Sequence, residues 1–99
     1  MIVVTGSATV QRDNLDEARR LSLEHVRRSR EEPGCISHAV HIDCENPCRL
    51  VFIEQWEDRA ALLAHFAVPA SRQFIKALSA LLVAPSPLEV YDATLLDKP

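Results

Sequence analysis

Two histidines and a glutamate stand where this chain could move protons. His38 and Glu54 each fall in an alternating stretch, and folding those stretches together as a hairpin about Asn46 brings the two side chains opposite each other. His65 closes a short helical segment further on. An imidazole ordinarily titrates near neutrality and can take or return a proton, and a carboxylate beside it can orient or tune the ring. Phe52, Trp56, Phe66 and Phe74 flank these positions and would supply apolar walls. Each residue also has an ordinary structural use. His65 suits a helix end resting on carbonyls or on a partner chain, His38 with Glu54 suits a satisfied buried pair, and the aromatics suit a core. His25 and His41 have no supporting constellation. His41, Cys44 and Cys48 are spaced only vaguely like metal ligands, without an evident fourth, so no metal is expected. With Gly6 and Gly34 as the only glycines there is no phosphate-cradling loop, and nucleotide and flavin sites find no support. No cofactor is expected.

The elements that must position these residues follow from periodicity. Ile2 to Val10 alternates as a strand. A helix follows to about Arg30, with Asp13-Asn14 as its cap and Leu15, Ala18, Leu21, Ser22, His25 and Val26 as its inner stripe. Its five arginines interleave with acids and read as a solvated face. Glu32-Pro33-Gly34 stops it. Cys35 to Asp43 and Arg49 to Glu57 are two strands joined by Cys44 to Cys48. Symmetric pairing aligns Ile42 with Leu50, Val40 with Phe52, His38 with Glu54 and Ile36 with Trp56, and sets Cys44 opposite Cys48, where oxidation would allow a cross-turn disulfide. Asp58 caps a helix from Arg59 to Phe66, Pro69 opens another to about Leu82, and Leu88 to Leu95 is a last strand. This order predicts one α+β domain over residues 1–99 with the split βαβ arrangement of a ferredoxin-like fold: a four-stranded antiparallel sheet with helices on one face. The other face, with Val3, Ala39, Val51 and Ile53, is too apolar to stay wet, so a homodimer is expected.

Composition limits the functional classes. The 99 residues are 47% hydrophobic and 25% charged, with a formal charge of −3, which excludes a disordered chain and disfavours a nucleic-acid partner. No apolar run reaches a membrane span, and the start turns polar at Thr5 without a basic leader. Three cysteines suit a reducing compartment, so a cytoplasmic place is expected.

Glu32-Pro33-Gly34-Cys35 after a helix, then Phe52 to Asp58 running into Ala60 to Phe66, resemble the antibiotic biosynthesis monooxygenase family of small dimeric α+β barrels. The resemblance extends over roughly residues 2 to 95 and is most specific from Glu32 to Phe74. It implies the same ferredoxin-like dimer and a ligand cavity between sheet and helices. For some members it implies oxygenation by O2 of electron-rich aromatic or quinol-type substrates without metal or flavin. Carried over by position, Glu54 is the acidic residue of the third strand, Trp56 the following aromatic and His65 the helix-end histidine. Ala70 stands where many members have a second histidine, and His38 where they have an aromatic. The asparagine that haem-degrading relatives carry in the first strand is missing between Met1 and Val10.

The expected function is therefore a monooxygenase acting on a small aromatic or quinol-type compound, with His65, Glu54 and His38 as catalytic candidates and Trp56, Phe52, Phe66 and Phe74 on the substrate. The alternatives are an isomerase or lyase on a small carbonyl compound, a haem-degrading oxygenase, or a non-enzymatic dimeric binding module.

Overall fold

The computed structural model describes residues 1–97, so the last two positions of the expected 1–99 domain lie outside it. Four strands, β1 (Ile2–Thr9), β2 (Cys35–Asp43), β3 (Asn46–Trp56) and β4 (Leu88–Asp92), form one antiparallel sheet in the order β2-β3-β1-β4. Three helices, α1 (Leu15–Ser29), α2 (Arg59–Ala67) and α3 (Pro69–Ser79), complete a ferredoxin-like α+β fold.

Alternation decides which side chains enter the core. Ile2, Val4 and Ala8 of β1 share a face with Leu50, Phe52, Glu54 and Trp56 of β3, and all are buried. α1 buries Ala18, Ser22, His25, Val26 and Ser29, small residues except for the histidine and valine, and Ser29 Oγ returns its hydrogen bond to the His25 carbonyl at 2.8 Å. The apolar core divides into two clusters. One gathers Leu50 and Phe52 with Ala8, Phe74 and Leu78; the other gathers Trp56 with Ile2, Val4 and Leu62. Glu54 falls between Phe52 and Trp56 on β3, so the polar site lies at the seam between two apolar clusters.

Several boundaries differ from expectation, each for a local reason. The hairpin turns at Cys44-Glu45 rather than over five residues, because the Asp43 carboxylate accepts from Glu45 N (2.8 Å) and from Arg49 (3.0 Å) and pulls β3 back to Asn46. Asp43 then pairs with Asn46, Cys44 and Cys48 are out of register, and all three thiols are free. The pairs Ile42–Leu50, Val40–Phe52 and His38–Glu54 form as expected. A bulge between Cys35 and Ser37 gives Trp56 to Cys35 instead, leaving Ile36 50% exposed. Asn14 makes no side-chain cap: a 3₁₀ turn (Arg12–Asn14) precedes α1 and holds Asn14 at φ −102, ψ 1, not the extended geometry capping requires. Asp58 does cap α2, accepting from Ala61 N at 2.8 Å. α3 stops at Ser79 because Leu82 and Val83 turn to bridge the end of β1. β4 stops at Asp92, and just beyond it Ala93 N donates to the Met1 carbonyl at 2.8 Å while the Met1 amino group donates to the Ala93 carbonyl at 2.9 Å.

Candidate active site

α1, β2, β3 and α2 each deliver one buried polar side chain to the seam: His25, His38, Glu54 and His65. Their ring centroids lie 5.2 Å apart for His25–His38 and His25–His65, and 5.7 Å for His38–His65. The hairpin register sets His38 beside Glu54, with His38 Nε2 at 3.6 Å from one carboxylate oxygen, too long for a hydrogen bond. His65 Nε2 stands 4.0 Å from the other oxygen, which accepts the Trp56 indole N–H at 2.9 Å.

Two groups outside the expected set complete the site. Glu32, from the turn after α1, meets His65 Nδ1 at 2.8 Å, and Arg28, from the last turn of α1, meets His25 Nδ1 at 2.8 Å. Sequence reasoning missed His25, Glu32 and Arg28. His25 had a legible signal, a polar ring on the otherwise apolar or small inner stripe of α1. Arg28 had none, and Glu32 stood out only as part of the Glu32-Pro33-Gly34-Cys35 turn, since an acid beside Pro33 and a basic helix end are ordinary surface features.

A cavity of about 270 Å³ opens beside these groups, between sheet and helices. His25, His38, Glu54 and His65 form its polar corner, and Phe52, Phe66 and Phe74 line it. Trp56 does not reach it: the indole is wholly buried in the second core cluster, and its contribution is the hydrogen bond to Glu54. Leu88 and Gly6 border the far side, where the Ser86 hydroxyl donates to the Ser7 carbonyl. His41 is exposed and lies outside this arrangement, on a separate surface depression.

Burial governs the charges. It drives His25 down to about 3, assisted by the neighbouring histidines and Arg28. It drives His38 down to about 3 as well, assisted by His65, Arg30 and Arg28. Glu54 is pushed above the usual carboxylate range by burial, against the opposing pull of the Trp56 hydrogen bond and His65. His38 and His25 are thus held neutral, and both ring nitrogens of His38 are buried without a partner among the described residues.

One ring nitrogen from each of the three histidines lies within 4.8 Å of the others, a grouping of the size that holds metal ions. In this arrangement Arg28, which can only donate, occupies His25 Nδ1. The hydrogen of neutral His25 is then on Nε2, and an N–H does not ligate, so only His38 and His65 offer lone pairs here.

Comparison with known proteins agrees with the architecture. The uncharacterised protein sll1783 of Synechocystis is 37% identical over 90 residues, which are 91% of this chain and 61% of that protein. The chain therefore spans about three fifths of this relative's length. The crystal structure of an antibiotic biosynthesis monooxygenase superimposes with a TM-score of 0.89 at 28% identity, covering 96% of this chain and all of the other. A conserved protein from Methanosarcina mazei does so with a TM-score of 0.89 at 25% identity, covering 94% and 92%. The family model described as antibiotic biosynthesis monooxygenase matches residues 1–77, and the chain belongs to that family.

Proposed function

We propose that the protein binds a small aromatic or quinol-type substrate in this cavity, removes an acidic proton with His65, and lets the resulting anion react with O2. The contact between Glu32 and His65 carries the proposal. A carboxylate accepts, so His65 Nδ1 donates to it, and the lone pair of the neutral ring is left on Nε2 at the cavity. The same carboxylate stabilises the imidazolium that forms when Nε2 takes the proton. His38 is held down at about 3 by its burial, and Glu54 completes the polar corner beside it.

The electron donor is the substrate anion, so the scheme calls for no flavin or metal. One electron passes to O2, the two radicals combine as a hydroperoxide, and a substrate methylene becomes a carbonyl. One oxygen atom stays on the product and the other leaves as water with the two hydrogens of the methylene. Phe52, Phe66 and Phe74 keep bulk water from the anion. The volume, at the small end of ligand pockets of about 300–1,000 Å³, suits one ring or two fused rings.

The open sheet face supports a homodimer as a further part of the proposal. Ile53 and Tyr91 are 41% and 45% exposed there beside the half-buried Val3 and Val51. Oxygen uptake against a panel of tetralones, naphthols and hydroquinones is the test. A substrate should show uptake with one atom of isotopically labelled O2 in the product, reduced at least about a hundredfold in His65→Gln. Unchanged uptake in that variant sinks the mechanism, and turnover without oxygen would establish the isomerase or lyase alternative instead.

A further inference from the structure

We propose that His25 is a catalytic residue, the hydrogen-bond donor that receives the substrate's developing oxyanion, with Arg28 as the positioning residue that fixes it as a donor. The proposal rests on the reading of the cavity as the place where His65 deprotonates a hydroxyl. A guanidinium has no lone pair to offer, so the 2.8 Å contact between Arg28 and His25 requires Nδ1 to accept. Neutral His25 therefore carries its hydrogen on Nε2. Burial among Phe74, His38 and His65 keeps it neutral, consistent with the lowering to about 3. Phe74 stacks on the ring at 3.9 Å and 7°, which fixes its plane. Among the described residues His25 Nε2 has no hydrogen-bond partner, yet it is not among the sealed, partnerless atoms as both nitrogens of His38 are; its hydrogen is available to the cavity.

His65 is the complement. Its Nδ1–H is committed to Glu32, so its Nε2 accepts while His25 Nε2 donates, and the two rings are 5.2 Å apart. Both rings line the cavity, so a hydroxyl entering between them meets one donor and one acceptor. A neutral hydroxyl satisfies both rings, accepting from His25 and donating to His65. On ionisation the O–H bond breaks, the proton goes to His65 Nε2, and the electron pair stays on the oxygen against His25 Nε2–H. The Arg28 charge behind His25 strengthens that bond as the oxygen becomes negative. Glu54, pushed toward its protonated form by burial, opposes the anion less than an ordinary carboxylate would. The site therefore selects a substrate entering as an un-ionised phenol or enol; a carboxylate brings no proton for His65.

Anaerobic binding of 4-nitrophenol, whose phenolate absorbs visible light, tests this without turnover. Titrations across pH give both the affinity and the ionisation of the bound probe, with 4-nitrotoluene as a hydroxyl-free control. His25→Phe should weaken phenolate binding about tenfold to a hundredfold and raise the ionisation pH of the bound probe, while 4-nitrotoluene changes less than about twofold. Arg28→Met leaves the ring but frees its tautomer, and should move the same two readouts in the same direction by a smaller factor. It also decides the matter if His25→Phe does not fold. Wild-type protein that ignores 4-nitrophenol, or variants that bind its phenolate like wild type, overturn the proposal. So does a stoichiometric divalent metal in the purified protein that is lost in His25→Phe, since a ligating Nε2 carries no hydrogen. Oxygen uptake can fail with the donor intact, in which case only the oxygenase step falls.

Discussion

A carboxylate at one nitrogen of an imidazole decides what the other nitrogen can do, and Glu32 places His65 under that rule. Glu32→Gln keeps the size of the side chain but can present an amide N–H to Nδ1 and so favour the wrong tautomer. It should lower kcat at least tenfold with KM little changed, as steady-state oxygen uptake would show; an equal loss in KM would mean that Glu32 shapes the pocket instead. The neutral histidines have a second consequence, in stability. His25 and His38 are at about 3 in the fold against an ordinary 6.5, so between those values the unfolded chain binds more protons. Their contribution is complete above pH 6.5 and is lost as pH falls toward 3. Each contributes a slope of up to about 1.4 kcal/mol per pH unit. Glu54, raised in the fold, acts with the opposite sign above its ordinary 4.5 and offsets part of this. The urea midpoint should therefore fall between pH 7 and pH 5, and His38→Asn should flatten that fall. A flat wild-type midpoint would contradict the buried, neutral cluster.

The short turn between α1 and β2 brings two requirements together: it aims Glu32 at His65 and lets α2 approach. Gly34 has φ +81, and a Cβ there would lie 2.5 Å from the Cβ of Ala61 in α2, the helix that carries His65. Its carbonyl also accepts from Glu57 N at 2.8 Å, tying the turn to the end of β3. Gly34→Ala should cost about 2–4 kcal/mol, combining the left-handed backbone with an overpacked contact. Adding Ala61→Gly should restore the packing part and not the backbone part. Chemical denaturation of the two variants separates them, and no recovery at all would place the whole cost in the backbone.

Across the whole molecule, the helices cover one face of the sheet and leave the other to solvent or a second copy. A chain of 11.1 kDa has little core to spare for a cavity, and a second sheet against Ile53 and Tyr91 would add burial that the monomer lacks. Ile53→Glu should then convert a dimer to a monomer in light scattering at micromolar protein, because two buried like charges would face each other across a two-fold contact. Wild-type protein that already runs as a monomer would remove the dimer. Metal-free oxygen chemistry and the donor role of His25 would stand or fall on their own tests.

The sequence by itself determined the element order, the faces of the strands and the opposition of His38 to Glu54. Period-2 alternation is a local property, and one apolar face leaves a hairpin only one comfortable register. It also carried the Asp58 cap and the family likeness around Glu32 to Phe74. It misplaced Ile36, since a bulge depends on how the strand enters the sheet, and it set Trp56 on the cavity wall, since periodicity assigns a face and not a depth. Only the tertiary structure brought His25, Glu32 and Arg28 to the site. Their roles depend on contacts between α1, the turn that follows it and α2, and on a burial that makes each nitrogen's partner decide its hydrogen. Protonation and tautomer are set by the environment, and the environment exists only once distant segments have closed around the rings.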